Sequence, residues 1–253
     1  MNKTVERIAP FLFGVLALGL WQGAVWGLQV PNYVLPGPVA IVQAYAGDYT
    51  VLNAALVSTL TVTLAALAAS AALGVLLALA MAASTLLRAA IQPWAVILQV
   101  TPVVAIAPLI IIWVNQPFMA LVVCATVVAF FPVLSNTAAG LAATPADLLD
   151  LFRLNGATRL QTLFLLRLPA ALPFFLAGLR ISGTLALVGA VVAEFVAGSG
   201  GAEGLAWRIL EAGNRLRTAE MFAAIVTLAL MAAVVHLAFQ ALERRALTWW
   251  RGR

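Results

Sequence analysis

Charge is what this chain has least of. Of 253 residues only 9% are charged, 14 Lys plus Arg against 9 Asp plus Glu, while 64% are hydrophobic. A soluble domain is roughly 45–50% apolar and about a quarter charged, so a water-bathed globule is excluded. Cysteine is nearly missing: Cys124 stands alone in a run of Val, Ala and Leu, which removes any intrachain disulfide or cysteine-based metal site. The single histidine, His236, has no Cys, Asp or Glu beside it; it reads as a packed or interface residue, and no metal is expected. Lysine occurs once, at Lys3 after Asn2, so no Gly-Lys-Ser or Gly-Lys-Thr exists to cradle phosphates, and the chain is not an ATPase. The net charge of +5 comes from Arg residues spread between hydrophobic runs, a pattern of membrane orientation rather than of a nucleic-acid partner.

What the chain does have is apolar length. A bilayer core about 30 Å thick takes roughly 20 apolar residues per helical crossing, which allows five to seven spans here. The mildly basic start, Met1 to Arg7, precedes an apolar run over 8–30 that is too long for a cleaved signal and carries Trp21 and Trp26 near its far end, so it reads as a retained first span. Pro31, Asn32, Pro36, Gly37 and Pro38 stop it and open an outer loop over about 31–52. A charge-free second span covers 53–85 and is long enough to tilt. Arg88 marks a short loop, Gln92 and Pro93 open the third span, and Pro102 and Pro108 bend it before it ends near Val114. The carbonyls freed by those prolines need partners in the protein or a water-filled path. After the Asn115-Gln116-Pro117 turn come a fourth span over 118–140, a soluble-looking segment over 144–168, a fifth span over 169–196, an outer loop over 198–218, a sixth span over 221–241 and a basic tail. The expectation is an all-α membrane protein with six transmembrane helices forming one domain over 1–253.

Lys and Arg near spans favour the cytoplasm. With the amino terminus inside, only Arg208, Arg215 and Arg217 fall in outer segments and the other 11 of the 14 basic residues fall inside, so both termini are expected in the cytoplasm. Trp249 and Trp250 beside Arg251 then sit at the inner interface.

The inner segment 144–168 predicts a helix, a glycine turn and a helix. Thr144 suits a cap, Pro145 the first helical position, and Asp147 the positive end of the dipole. Leu148, Leu151 and Phe152 share a face at i, i+3 and i+4, Asp150 and Arg153 lie on another, and Asn155 with Gly156 ends the helix. Thr158 and Gln161 cap the second helix, which runs to Leu168 before Pro169. An amphipathic hairpin lying on the membrane is one reading; a docking knob that takes force from a soluble partner is the other.

The stretch Asp150 to Ser182 resembles the cytoplasmic loop of ABC importer permeases, whose pattern is Glu-Ala-Ala, three residues, Gly, about nine residues, then an apolar residue, any residue and Leu-Pro. Gly156 and Leu168-Pro169 match, Asp150 stands for the Glu, and Leu151 and Phe152 replace the two Ala with bulkier side chains. Leu35-Pro36-Gly37-Pro38, Gln99 to Pro102 through Ala107-Pro108, Phe131-Pro132 with Asn136-Thr137, and Val192-Ala193-Glu194 are similar to the taurine, alkanesulfonate, nitrate and pyrimidine-precursor branch. The resemblance implies a type I ABC importer permease in the bacterial inner membrane. It implies two copies as a homodimer, two ATP-binding-cassette ATPase subunits carrying ATP and Mg, and a periplasmic or lipid-anchored substrate-binding protein. It also assigns Asp147, Asp150, Leu151, Phe152, Arg153, Gly156, Ala157 and Pro169 to an ATPase-coupling loop.

Among single residues, Gln99 and Thr101 beside the Pro102 bend are the best candidates for the translocation path, with Asn136 and Glu194 as further ones; Asn115 and Thr137 share the setting, and any of these polar groups can equally serve backbone or helix contacts. Glu194 is either a gating carboxylate, or a wet loop residue, or a cap for the segment from Gly198 to Gly204. Arg180 either snorkels to the inner interface or pairs with a loop acid. An ion-coupled secondary transporter would want titratable groups at mid-membrane, and apart from Glu194 and His236 the spans offer almost none. A membrane-embedded enzyme would need clustered acids or bases; Asp147 and Asp150 could hold a metal, although capping explains Asp147. For the cargo, the outer loops carry three Arg and four acids, which favours neither sign, and the run Thr101 to Trp113 looks more like the pyrimidine-precursor members.

Overall fold

The computed structural model describes residues 3–198 and 203–251, with side chains over 8–198 and 203–248, and every regular element among them is helical. Among the described residues five helices are long and apolar enough to cross a membrane, or six if one bent pair counts as a span. Two compact units divide the chain, one holding residues up to Val57 with Glu203–Ala229, the other those from Ser58 to the end of the fifth span with Leu230 onward.

In the first unit, the proline-rich segment that ends α1 (Lys3–Gly27) starts another helix, so the loop expected over 31–52 is largely helical. Gly37 is the N-cap of α2 (Pro38–Gly47) and Pro38, whose fixed φ suits a first turn, follows it. The next amide, Val39, donates to Gln22 Oε1 of α1 at 3.0 Å, so one helix caps the other. Helix α3 (Tyr49–Ala83) begins only two residues later and, at 35 residues, reaches about 50 Å, well beyond one bilayer crossing. Thr218 Oγ1, at the start of the last helix, donates to the Tyr33 carbonyl at 2.8 Å, and the Trp21 and Phe222 rings lie 6.3 Å apart.

The second unit corrects the third span. Helix α4 (Thr85–Val100) starts at the Ser84 cap, with Arg88 and Pro93 inside it rather than in front of it, and α5 (Val103–Trp113) leaves it at 102°. The sharp break falls at Thr101-Pro102, where proline has no amide to donate and disfavours helical geometry in the residue before it. Thr101 Oγ1 turns back to the Ile97 carbonyl at 2.7 Å. Helix α6 (Pro117–Ala142) follows with Gln116 as N-cap, as expected for the fourth span.

Helix α7 (Ala146–Leu154) and α8 (Arg159–Thr162) form the predicted pair, but α8 does not stop before Pro169. A π-helical segment, Leu163–Arg167, joins it to α9 (Leu168–Ala197), and the Leu168 amide bonds the Leu163 carbonyl five residues back. That slipped register lets the chain enter a proline-bearing turn without ending the helix, so 159–197 is one rod of 39 residues. Beyond Gly198, the expected outer loop over 198–218 contains α10 (Leu205–Asn214), whose Leu205, Ala206 and Ala212 are buried. Residues 199–201 of the glycine break lie outside the described residues. Helix α11 (Thr218–Arg251) carries the sixth span on through most of the basic tail. The interface placement expected of Trp249, Trp250 and Arg251, like the side chains of Lys3 and Arg7, lies outside the described side chains, and Arg253 outside the described residues.

Helices α6 and α9 make the core of the second unit by close approach of small residues. Ala125, Ala129, Ala186 and Ala190 are fully buried, and a Cβ added at Gly189 would lie 2.8 Å from the Ala125 Cα. In lipid no hydrophobic force separates helix from solvent, so van der Waals contact at this distance and interhelical hydrogen bonds do the holding. Ser182 of α9 donates to the Ala129 carbonyl and Ser70 of α3 to the Thr126 carbonyl. Gly178→Ala would place its methyl 2.7 Å from the Pro132 carbonyl oxygen. We expect it to destabilise by about 1–2 kcal/mol, whereas Gly19→Ala in α1, with nothing within 4 Å, is neutral. Thermal melting of the two variants in detergent checks this.

Candidate functional site

The turn between α7 and α8 is built by backbone geometry that the sequence dictates locally. Gly156 takes φ +69°, its amide donates to the Arg153 carbonyl at 3.0 Å, and the Ala157 amide donates to Phe152 at 3.0 Å. That pair of bonds closes the C-terminus of α7 around a left-handed residue, the position where Gly lacks the Cβ penalty. Asn155 Nδ2 adds a bond to the Leu151 carbonyl at 2.8 Å. On the far side the Thr158 hydroxyl accepts from the Gln161 amide while Gln161 Oε1 accepts from the Thr158 amide, the predicted reciprocal cap.

Two details differ from expectation. Pro145, not Thr144, is the N-cap of α7, because the buried Thr144 hydroxyl is committed backward to the Leu141 carbonyl at 3.3 Å and closes α6. Phe152 is half-buried, so the exposed apolar edge of α7 is Leu148, Leu151 and Leu154 rather than Leu148, Leu151 and Phe152. Leu151 is 52% exposed and Leu154 86%. Asp147 occupies the first turn, where its charge favours the helix dipole, and Asp150 pairs with Arg153 at 3.1 Å on the wet side. No group of three or more His, Cys, Asp or Glu that could hold a metal occurs among the described residues. Pro169 sits in the first turn of α9 just past the π-helical segment.

The residues named for a translocation path do not gather at one point. Gln99 and Thr101 open into a cavity of about 300 Å³ whose walls include Val103, Phe131, Pro132 and Leu185, and none of its lining residues is charged. Pro102 makes the bend beside it. Asn136 is turned instead onto its own helix, its Nδ2 donating to the Pro132 carbonyl at 2.8 Å, and Thr137 is buried. Asn115 is exposed in the turn between α5 and α6, and His236 is exposed on α11. Glu194 is nine positions beyond Leu185 on α9, about 13 Å along the axis.

Glu194 is no wet loop residue. It lies within α9, 1% exposed, and its Oε1 accepts a hydrogen bond from Thr59 Oγ1 of α3 at 2.8 Å. Thr59 is itself fully buried, and its carbonyl accepts from the Thr63 hydroxyl. Sequence reading missed Thr59, since one hydroxyl among several Thr and Ser in a charge-free helix gives no sign of which acid it meets. Arg180 resolves differently: it pairs at 3.0 Å with Glu243 of α11, a helical acid rather than a loop one.

The family model described as the binding-protein-dependent transport system inner membrane component matches residues 70–248. The formylaminopyrimidine transport permease protein ThiX of Halalkalibacterium halodurans is 32% identical over 250 residues, 98% of each chain. The riboflavin transport system permease protein RibX of Chloroflexus aurantiacus is 32% identical over 240 residues, 93% of this chain and 87% of that one. The taurine transport system permease protein TauC of Escherichia coli is 30% identical over 258 residues, 98% of this chain and 92% of that one. Among solved structures, an amino acid ABC transporter matches with a TM-score of 0.65 at 17% identity, over 80% of this chain and 97% of that one, a likeness of fold.

Proposed function

The chain belongs to the binding-protein-dependent transport inner membrane component family, the permease subunits of ABC importers, and we propose from that premise how its parts divide the work. It is a multi-pass inner-membrane protein, and in this family ATP is consumed on a partner ATPase. In our reading two copies form a homodimer around the path, both termini face the cytoplasm, and two ATPase subunits with ATP and Mg receive the knob from Asp150 to Ala157. A periplasmic or lipid-anchored binding protein delivers cargo on the other face. ATP-driven closure of the ATPase pair swings the permeases outward-open and hydrolysis resets them. Cargo needs only different contacts in the two states, not a tight site.

The observation that carries this reading is the Leu148, Leu151 and Leu154 edge held out on a turn fixed at both ends. An apolar edge on a rigid helix fits a groove in a soluble partner. The cavity beside Gln99 supports a cargo that is small and uncharged, with Gln99 offering both a donor and an acceptor and Phe131 a flat apolar wall. Relatives named for formylaminopyrimidine and riboflavin, both heterocycles, agree with that chemistry better than the one named for taurine.

The test is to tag the carboxyl terminus, solubilise membranes gently and identify by mass spectrometry what co-purifies. An ATPase with phosphate-binding loop motifs and a solute-binding protein are expected. Gly156→Val should lower ATPase recovery about tenfold, because a β-branched residue is strained at this φ by about 1–2 kcal/mol, while Gly156→Asn, which tolerates it, retains the partner. Nothing lies within 4 Å of a Cβ there, so the contrast reads conformation and not a clash. A chain that comes down alone, or an ATPase indifferent to both variants, sinks the docking assignment. For the path, a properly inserted Gln99→Ala, Thr101→Ala double variant should slow uptake about tenfold, and unchanged uptake would remove those two residues from it.

A further inference from the structure

Arg88 is the only charged residue between Asp48 and Asp147. It lies in the first turn of α4, exposed, and none of the ion pairs among the described residues includes it. Four residues on is Gln92, then Ala95 and Val96, the i, i+4, i+7, i+8 positions of one helical face. All four line one cavity of about 260 Å³, closed opposite by Met81 of α3 and Phe131 and Leu134 of α6. Its polar groups, Arg88, Gln92 and Ser135, are few against an otherwise apolar lining. Along the α6 side the lining runs to Ala142, the last residue of α6 before the segment that leads to α7. Farther along α4, Trp94 is exposed, a residue that favours the headgroup level.

We propose that this cavity is a binding site for one anionic phospholipid, with the Arg88 guanidinium on the phosphate and an acyl chain between α4 and α6. A planar guanidinium matches a phosphate bidentately, and no carboxylate lines the cavity to compete for it. A cation at the mouth of an apolar slot between membrane helices is the arrangement that takes an acidic headgroup with its tail. The occupant wedges between α4 and α6 at the end of α6 that leads to the knob, so its presence bears on how that end is held.

The full-length protein is exchanged into vesicles of phosphatidylglycerol or phosphatidylcholine, extracted gently and examined by native mass spectrometry. One phosphatidylglycerol per chain should persist at activation energies that strip phosphatidylcholine. Arg88→Gln should lower that retention about tenfold, Arg88→Lys less, and Arg244→Gln, an exposed tail cation away from the cavity, should leave it unchanged. A photo-crosslinking residue at Gln92 should label the lipid. Equal retention of the two lipids, or an Arg88→Gln protein that holds phosphatidylglycerol as well as the parent, overturns the site. Displacement of the lipid by millimolar inorganic phosphate would assign Arg88 to a free anion and overturn the lipid. A Gln92 crosslink to a second copy of the chain would do the same.

Discussion

Replacing Leu151 and Leu154 together by Asp is expected to release the ATPase while leaving the permease folded. Neither side chain is buried in the chain itself, so the substitutions remove no core contact, and surface changes of this kind alter stability by about 0.5 kcal/mol or less. In the complex the situation reverses. Covering two leucines contributes roughly 1.5–3 kcal/mol each, and a carboxylate forced into that groove without a partner costs more again. Affinity should fall at least a hundredfold on that sum, read as loss of ATPase from the tagged pull-down and of ATP-dependent uptake in vesicles. Melting of the permease alone should match the parent within error. Asp150→Asn supplies the opposite expectation: its pair with Arg153 is exposed on both sides, and exposed pairs are worth little, so docking should survive its loss. A Leu151→Asp, Leu154→Asp protein that keeps its ATPase would leave α7 as a hairpin resting on the lipid surface.

The helix-turn-helix backbone over 146–162 was readable from sequence where its determinants are local. Gly156, the Thr158 and Gln161 pair and Asp147 act within four residues of where they stand, and each does in the structure what its chemistry predicts. Five of the six expected spans are single long apolar helices in the expected order, because a bilayer crossing asks for a long apolar run, while the third is a pair bent by 102°. What could not be read was which proline breaks a helix. Pro93, Pro108, Pro132 and Pro173 all sit inside helices, and Pro169 enters one across the π-helical segment, while Pro102 marks the 102° break between α4 and α5. In a membrane no water competes for a freed carbonyl, so the helix continues wherever a side chain or a register slip satisfies it, and that depends on neighbours the local sequence does not name. Phe152 turned inward for the same kind of reason: helical periodicity ranks faces, but contact with the rest of the unit decides which face is covered.

Glu194 shows the limit most plainly, and its substitution has the second largest expected effect. Its partner Thr59 is 135 residues away, so no spacing rule could pair them. A carboxyl at membrane depth is costly to bury and is kept only where it does something. Here it accepts a hydrogen bond from α3 while standing near the end of α9, which ties the two helices together at that level. Glu194→Leu has nearly the same volume but no acceptor, and losing an acceptor to a buried hydroxyl costs on the order of 3 kcal/mol. We expect the detergent melting temperature to fall by roughly 6–12 °C and uptake to fall with it. Glu194→Gln keeps an oxygen where Thr59 donates, so it should melt within a few degrees of the parent and still transport on ATP. The same variant separates two engines. An ATP-driven permease needs the bridge and not the proton, so Gln suffices. An ion-coupled carrier would need the titratable carboxyl, and a Glu194→Gln protein with parental melting but no uptake would point to that mechanism instead.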